Sequence, residues 1–286
     1  MKSVTPATAV LIWLCLLPSV TRACRYNVRD VGFVDLETET YRLYGFVRTD
    51  TPADTVSLFR ELPLSVLRDC NVEFEIVKTD GPTNHPAFKH LPAGMRDSFP
   101  AAVLVSPDGQ ALPLSLSRPG QTFRESLTAA LGEIASSPKR EEILRTVSRA
   151  FGAVLLIEGD NADGNQRARQ AITNAFEAIR TQMAAMPKTI AEPPAMIAID
   201  AAALAHERTL LWSLGLDTAR TGPPRAAVLY GRARWIGPLM QGDEITEPNL
   251  TGILSIIGAD CECGLDVAWT QGTRLPVRWD AQRHAQ

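Results

Sequence analysis

Few of the patterns that usually mark chemistry occur in this chain. No long run of Lys or Arg is present. The formal net charge is −3 at pH 7, the pI is about 5.9, and arginines alternate with acids, as in Arg140-Glu141-Glu142 followed by Arg145 and Arg149. Nucleic-acid and anionic-lipid binding therefore lack an electrostatic footprint. No Gly-x-Ser-x-Gly occurs, so a nucleophile elbow is excluded. No Walker or Gly-x-Gly-x-x-Gly loop is present to cradle a phosphate. His85, His90, His206 and His284 do not cluster with cysteines at zinc spacings, and no cofactor is expected. Asp160-Asn161-Ala162-Asp163-Gly164-Asn165 is rich in oxygen ligands but lacks the EF-hand spacing and its twelfth-position Glu. It reads as acids favouring a helix N-terminus.

The first 23 residues differ from the rest. Lys2 precedes the apolar run Ala7–Leu17, Pro18 ends it, and Thr21-Arg22-Ala23 places small residues at −3 and −1 of a cut before Cys24. That is the layout of a removable signal peptide, and the run is too short for a span of about 20 residues. No later apolar stretch is long enough either. The expected location is the periplasm or cell envelope. Thr21-Arg22-Ala23-Cys24 also resembles a bacterial lipoprotein box. Ala23 fits it, Arg22 and Thr21 fit poorly, and Cys24 is thus a candidate for lipidation or for a disulfide. Such a lipid is the one membrane attachment expected.

Cys15 leaves with the signal, and Cys24, Cys70, Cys261 and Cys263 remain. In an oxidising compartment an even set favours disulfides, here with three alternative pairings. A bridge within Cys261-Glu262-Cys263 would be strained and easily reduced, which makes that pair the candidate for thiol chemistry.

The composition, 45% hydrophobic and 21% charged, is that of a folded protein. Residues 31–36 and 41–47 read as strands joined by a turn. Thr51 caps a helix whose first residue is Pro52, and Pro63 kinks or ends its first part. Residues 71–78 alternate as a half-buried strand, and 81–98 form a Pro- and His-rich surface loop. Strands at 100–105 and 111–116 flank the Asp108-Gly109 turn, and helices follow at 122–136 and 139–150. The order then restarts with a strand at 153–157, a helix at 162–185, a strand at 195–199 and a helix at 202–214. Strands at 226–230 and 233–236 and a helix from Thr246 to Ile257 complete it. Trp212, Trp235, Trp269 and Trp279 read as packing residues.

These halves match. Phe46-Val47…Asp50-Thr51-Pro52-Ala53-Asp54 parallels Leu156-Ile157…Asp160-Asn161-Ala162-Asp163, and the Pro100 strand with its Gly109 turn parallels the Pro224 strand with Gly231. Each half reads strand, helix, strand, linker, Pro-strand, turn, strand, helix. The order resembles the thioredoxin-like superfamily, duplicated, over about residues 40–136 and 152–258. The resemblance implies an α/β fold of two tandem sandwiches with mixed central sheets. The expected division is signal peptide 1–23, first domain 24–137, and second domain 138–286 with a cysteine-containing tail. It also implies a cis proline before the third core strand, at Pro100 and at Pro224 or Pro223.

That superfamily's oxidoreductases carry Cys-x-x-Cys at the first helix, where the helix N-terminus lowers the thiol pKa. Residues 51–54 and 160–163 contain no cysteine. The expectation is thus an exported, non-catalytic protein that binds a protein partner of the cell envelope. The rival is an extracytoplasmic thiol–disulfide oxidoreductase using Cys261 and Cys263.

Overall fold

A computed structural model describes residues 26–34, 40–81, 84–186, 188–217, 222–260 and 272–280. The first half contains β1 (Tyr41–Val47), α2 (Ala53–Val66), β2 (Val72–Lys78), β3 (Ala101–Val105), β4 (Ala111–Leu114) and α3 (Phe123–Ala135). Its sheet runs β2-β1-β3-β4. β1 lies parallel to β2, with Tyr41 opposite Val72, and antiparallel to β3, which pairs antiparallel with β4. Alternation along β1 splits the core. Tyr41, Leu43 and Val47 pack with Phe59 of α2 and Leu127, Leu131 and Ile134 of α3. Tyr44 and Phe46 face the other way, against Ala87 and Leu91 of the 81–98 loop. That loop forms two 3₁₀ turns, Pro86–His90 and Ala93–Met95, in place of a covering helix.

The second half repeats the scheme with α4 (Pro138–Arg149), β5 (Ala153–Ile157), α5 (Ala162–Met183), β6 (Ala195–Ile199), α6 (Ala201–Leu204), α7 (Arg208–Ser213), β7 (Arg225–Tyr230), β8 (Arg234–Gln241), α8 (Glu247–Gly258) and β9 (Thr273–Arg274). Its sheet runs β6-β5-β7-β8-β9, again with one parallel pair, β5 and β6, beside antiparallel ones. Val154, Leu156 and Val228 pack with Ile172 and Ile179 of α5 and Leu250 and Leu254 of α8. Leu155, Ile157 and Leu229 pack with Ile143 and Val147 of α4 and Leu210 and Leu211 of α7.

Four local expectations change. Val28–Val31 is a short helix, α1, and not the start of a strand. Asn27 caps it by accepting from Asp30 N, and Asp30 accepts from Asn27 N in return. The second helix begins at Ala53 without a side-chain cap, because Thr51 Oγ1 instead accepts from Arg48 N at 2.9 Å. That helix runs through Pro63, whose carbonyl still accepts from Leu67 N. The 202–214 helix is two, α6 and α7. Between them the buried Glu207 turns its carboxylate away from the helix, accepting from Lys139 N at 2.8 Å.

Both ends of the described chain tie the halves together. α1 lies in the span assigned to the first domain but packs on the second. Val28 joins that core, its N–H donates to Ala259 O at 3.0 Å, and Arg29 donates to Ala150 O and Ser148 O. Gly231, at φ +55°, lets this segment close in, since a Cβ there would stand 2.6 Å from Gly32 Cα. Residues 272–280 do the reverse. Leu275 and Val277 are buried in the second core, while Asn71 of the first half donates to Leu275 O and accepts from Val277 N. Tyr41 Oη donates to Arg274 O at 3.1 Å, and Arg278 donates to Val66 O at 2.7 Å.

Candidate functional site

The carboxyl ends of β1 and β2 open into loops, and β3 begins beside them. The Phe99–Pro100 peptide there is cis. The loop after β1 is tightly bonded. Arg48 pairs with Asp50 at 3.0 Å, and Thr49 N donates to Asp80 Oδ2 at 2.7 Å. That bond from Thr49 holds the Asp80 carboxyl below its ordinary range, against the opposing effect of desolvation.

A groove of about 470 Å³ lies at this end, lined by Arg48, Thr79, Asp80, Phe88, Leu91, Arg96 and Phe99. Its floor is apolar because the 81–98 loop brings Phe88 and Leu91 onto Phe46 and Val103. Its rim carries two guanidinium groups. Asp50 pairs with Arg48, whereas Arg96 is exposed and has no ion-pair partner among the described residues.

A β-α-β unit joined to a β-β-α unit in the strand order 2-1-3-4 decides the fold of the first half. Strand order and pairing directions repeat it in the second. Each half has a thioredoxin-like fold.

The two domains differ at the equivalent place. In the second thioredoxin-like domain the loop after β5 is covered by the chain itself. Asp160 N donates to Gly222 O at 3.0 Å, and Asn165 bonds both Gly159 N and Gly159 O, at 2.8 and 2.9 Å. A Cβ at Gly159 would lie 2.6 Å from the Pro223 carbonyl carbon. Only about 130 Å³ remains there. The expected cis peptide before Pro224 or Pro223 is not formed, since the cis bond among the described residues is Phe99–Pro100. Residues 222–224 are instead bonded along their own domain, with Gly222 O accepting from Asp160 N and Pro224 O from Gly242 N.

The cysteines do not reach the groove. Cys70 carries a free thiol ahead of β2, at the opposite end of a strand of seven residues, about 20 Å away at the usual rise. Burial pushes its pKa up, partly countered by Arg278, so the thiolate that acts as nucleophile is disfavoured. Cys24, Cys261 and Cys263 lie outside the described residues. Among the described residues no group of three or more His, Cys, Asp or Glu could hold a metal ion, and no helix is long and apolar enough to cross a membrane.

The repeat placed Pro100 correctly in the fold, but Arg48, Asp80, Phe88, Arg96 and Phe99 were not legible as a group. The available signal was the unequal linkers: residues 81–98 carry His, Phe and Arg between β2 and the Pro-strand.

No protein-family model matches the chain, and no curated protein matches it. Among solved structures, it is similar to the first two thioredoxin domains of Saccharomyces cerevisiae Eps1p at 11% identity, over 76% of this chain and 91% of that one, with a TM-score of 0.26. Human ERp44 in its zinc-bound form matches at 11% identity over 87% of this chain and 60% of that one, with a TM-score of 0.29. The NTD_N/C domain of the alkylhydroperoxide reductase AhpF from Enterococcus faecalis matches at 12% identity over 77% and 96%, with a TM-score of 0.24.

Proposed function

We propose that this is an exported protein whose first thioredoxin-like domain holds an extended segment of a cell-envelope protein without performing dithiol chemistry. The observation that carries the reading is the asymmetry between the domains. The groove beside Pro100 is open, while its counterpart is filled by residues 222–224. Phe88, Leu91 and Phe99 suit an apolar side chain, and the exposed Arg96, beside the Asp50-paired Arg48, suits a carboxylate next to it. The absence of cysteine from residues 51–54 and 160–163 supports recognition over catalysis.

Selection of a random peptide library on the purified mature protein tests the site. Enriched peptides should place Asp or Glu beside an apolar residue, and Arg48→Glu with Arg96→Glu should abolish capture while the melting temperature holds. Peptides that bind the doubly reversed variant equally well would sink the reading. Export is tested by the intact mass of the protein recovered from cells. A chain starting at Cys24, with or without a diacylglyceryl addition, supports it, and a cytosolic chain starting at Met1 contradicts it.

A further inference from the structure

The two domains enclose a second cavity, at the opposite end of β3 from the groove. It measures about 440 Å³ and lies between Tyr41, Ser106, Asp108 and Gln110 of the first domain and Trp212 and Trp235 of the second. That volume falls in the range of small-molecule sites. Its walls mix aromatic and polar residues. Tyr41 and Trp212 meet across the domain boundary with ring centroids 5.9 Å apart, and the Tyr41 hydroxyl is held by Arg274 O.

Asp108 carries the one formal charge on these walls. Its carboxylate accepts from Ser106 Oγ and from Gln110 Nε2 at 3.0 Å. Gln110 N in turn donates to Ser106 Oγ at 2.9 Å, which fixes the turn. The bond from Ser106 is the main cause holding the Asp108 carboxyl below its ordinary value, so the group is ionised at neutral pH. No Lys or Arg among the described residues pairs with it. The carboxylate is exposed, and the backbone N–H groups of Asp108 and Gln110 also reach it. Tyr41 is buried behind Trp212, and the two half-buried indoles, Trp212 and Trp235, with a carboxylate that no described Lys or Arg pairs with, make an environment for positive charge.

We propose that the interdomain cleft binds a small organic cation of the alkylammonium class, seated against Trp212 and Trp235 with its charge towards Asp108. The site is independent of the peptide groove, and either can fail without the other.

The test is a titration of the full mature protein with choline, read by tryptophan fluorescence and calorimetry. The comparison ligand is its neutral isostere, 3,3-dimethylbutan-1-ol. The expected result is saturable choline binding, with the isostere weaker by about tenfold or more because cation–π and carboxylate attraction are both lost. Asp108→Asn, which keeps the size and, through its one amide oxygen, the bond from Ser106 Oγ, should weaken choline by about tenfold and leave the isostere unchanged. Trp212→Phe should weaken choline less, since a ring remains. No saturable change, equal binding of the isostere, an unaltered Asp108→Asn variant, or tighter binding of a neutral sugar would each overturn the proposal.

Discussion

Arg140 donates from Nη1 to the carbonyl of Pro276, 2.6 Å away, across the junction of the two domains. The same guanidinium donates to Ile134 O at 2.6 Å, to Glu133 O, and through Nε to Ser137 Oγ at 2.9 Å. Ser137 in turn donates to Glu207. One buried side chain thus closes the end of α3, holds the Ser137 cap of α4 and ties down the C-terminal segment. Burial lowers its pKa to about 10, and Glu207 is the leading opposing influence, so the group is still charged at neutral pH.

Arg140→Ala should therefore destabilise the whole chain. It leaves three carbonyls without their donor and takes away the buried cation that offsets the Glu207 carboxylate, a loss of about 3–5 kcal/mol by analogy with broken buried charge networks. Urea unfolding followed by far-ultraviolet circular dichroism measures it. A change of under about 1 kcal/mol, the scale of a surface pair, would mean the node does not join the domains.

The segment 272–280 also guards Cys70. Cys70 and Arg278 form an isolated antiparallel bridge, and Trp279 N donates to Asp69 O at 2.9 Å. Leu275→Ala removes a side chain with 0% exposure and should cost about 2–5 kcal/mol. If the segment covers Cys70, alkylation of that thiol in native protein, located by mass mapping, should speed up in the same variant. An unchanged rate would show that the cover is held by other contacts.

The raised pKa of Cys70 also gives a signed pH effect. The folded state binds the thiol proton more tightly than the unfolded chain, whose value is near 9.0. Its contribution is complete below that value and is lost as pH rises through the higher folded value. Thermal melts from pH 7 upwards should show the native chain losing stability faster than Cys70→Ser on the alkaline side. Parallel curves would contradict the shift.

Gly159→Ala should affect the second domain alone. Its Cβ would meet the backbone of residues 222–223, so the covering loop must move or the domain must strain, at about 1–3 kcal/mol. Amide exchange should rise at Asp160 while the groove beside Pro100 keeps its peptide affinity. Loss of that affinity would mean the two domains do not act separately.

Much of the fold was legible because strand alternation and Pro–Gly punctuation are local. Pro100 and Gly109 bracket β3 as written in the chain, and Thr246 caps α8, accepting from Asn249 N. What was not legible depends on distant partners. Val28–Val31 becomes a helix in the company of Ala259 and Tyr230, more than 200 residues away. Glu207 breaks a helical run because Ser137 and Lys139 claim its carboxylate. The groove was hidden for the same reason, since Arg48 comes from the loop after β1 and Asp80 and Phe99 from opposite ends of the loop between β2 and β3. The emptiness of residues 51–54 was visible at once, and it still shapes the functional reading.

That reading holds that the thioredoxin-like scaffold recognises and does not exchange disulfides. Its most direct test is insulin disulfide reduction by the mature protein, with glutathione or dithiothreitol as the reductant. The account predicts a rate equal to the uncatalysed background. Turnover above background that disappears in Cys261→Ser or Cys263→Ser would contradict it.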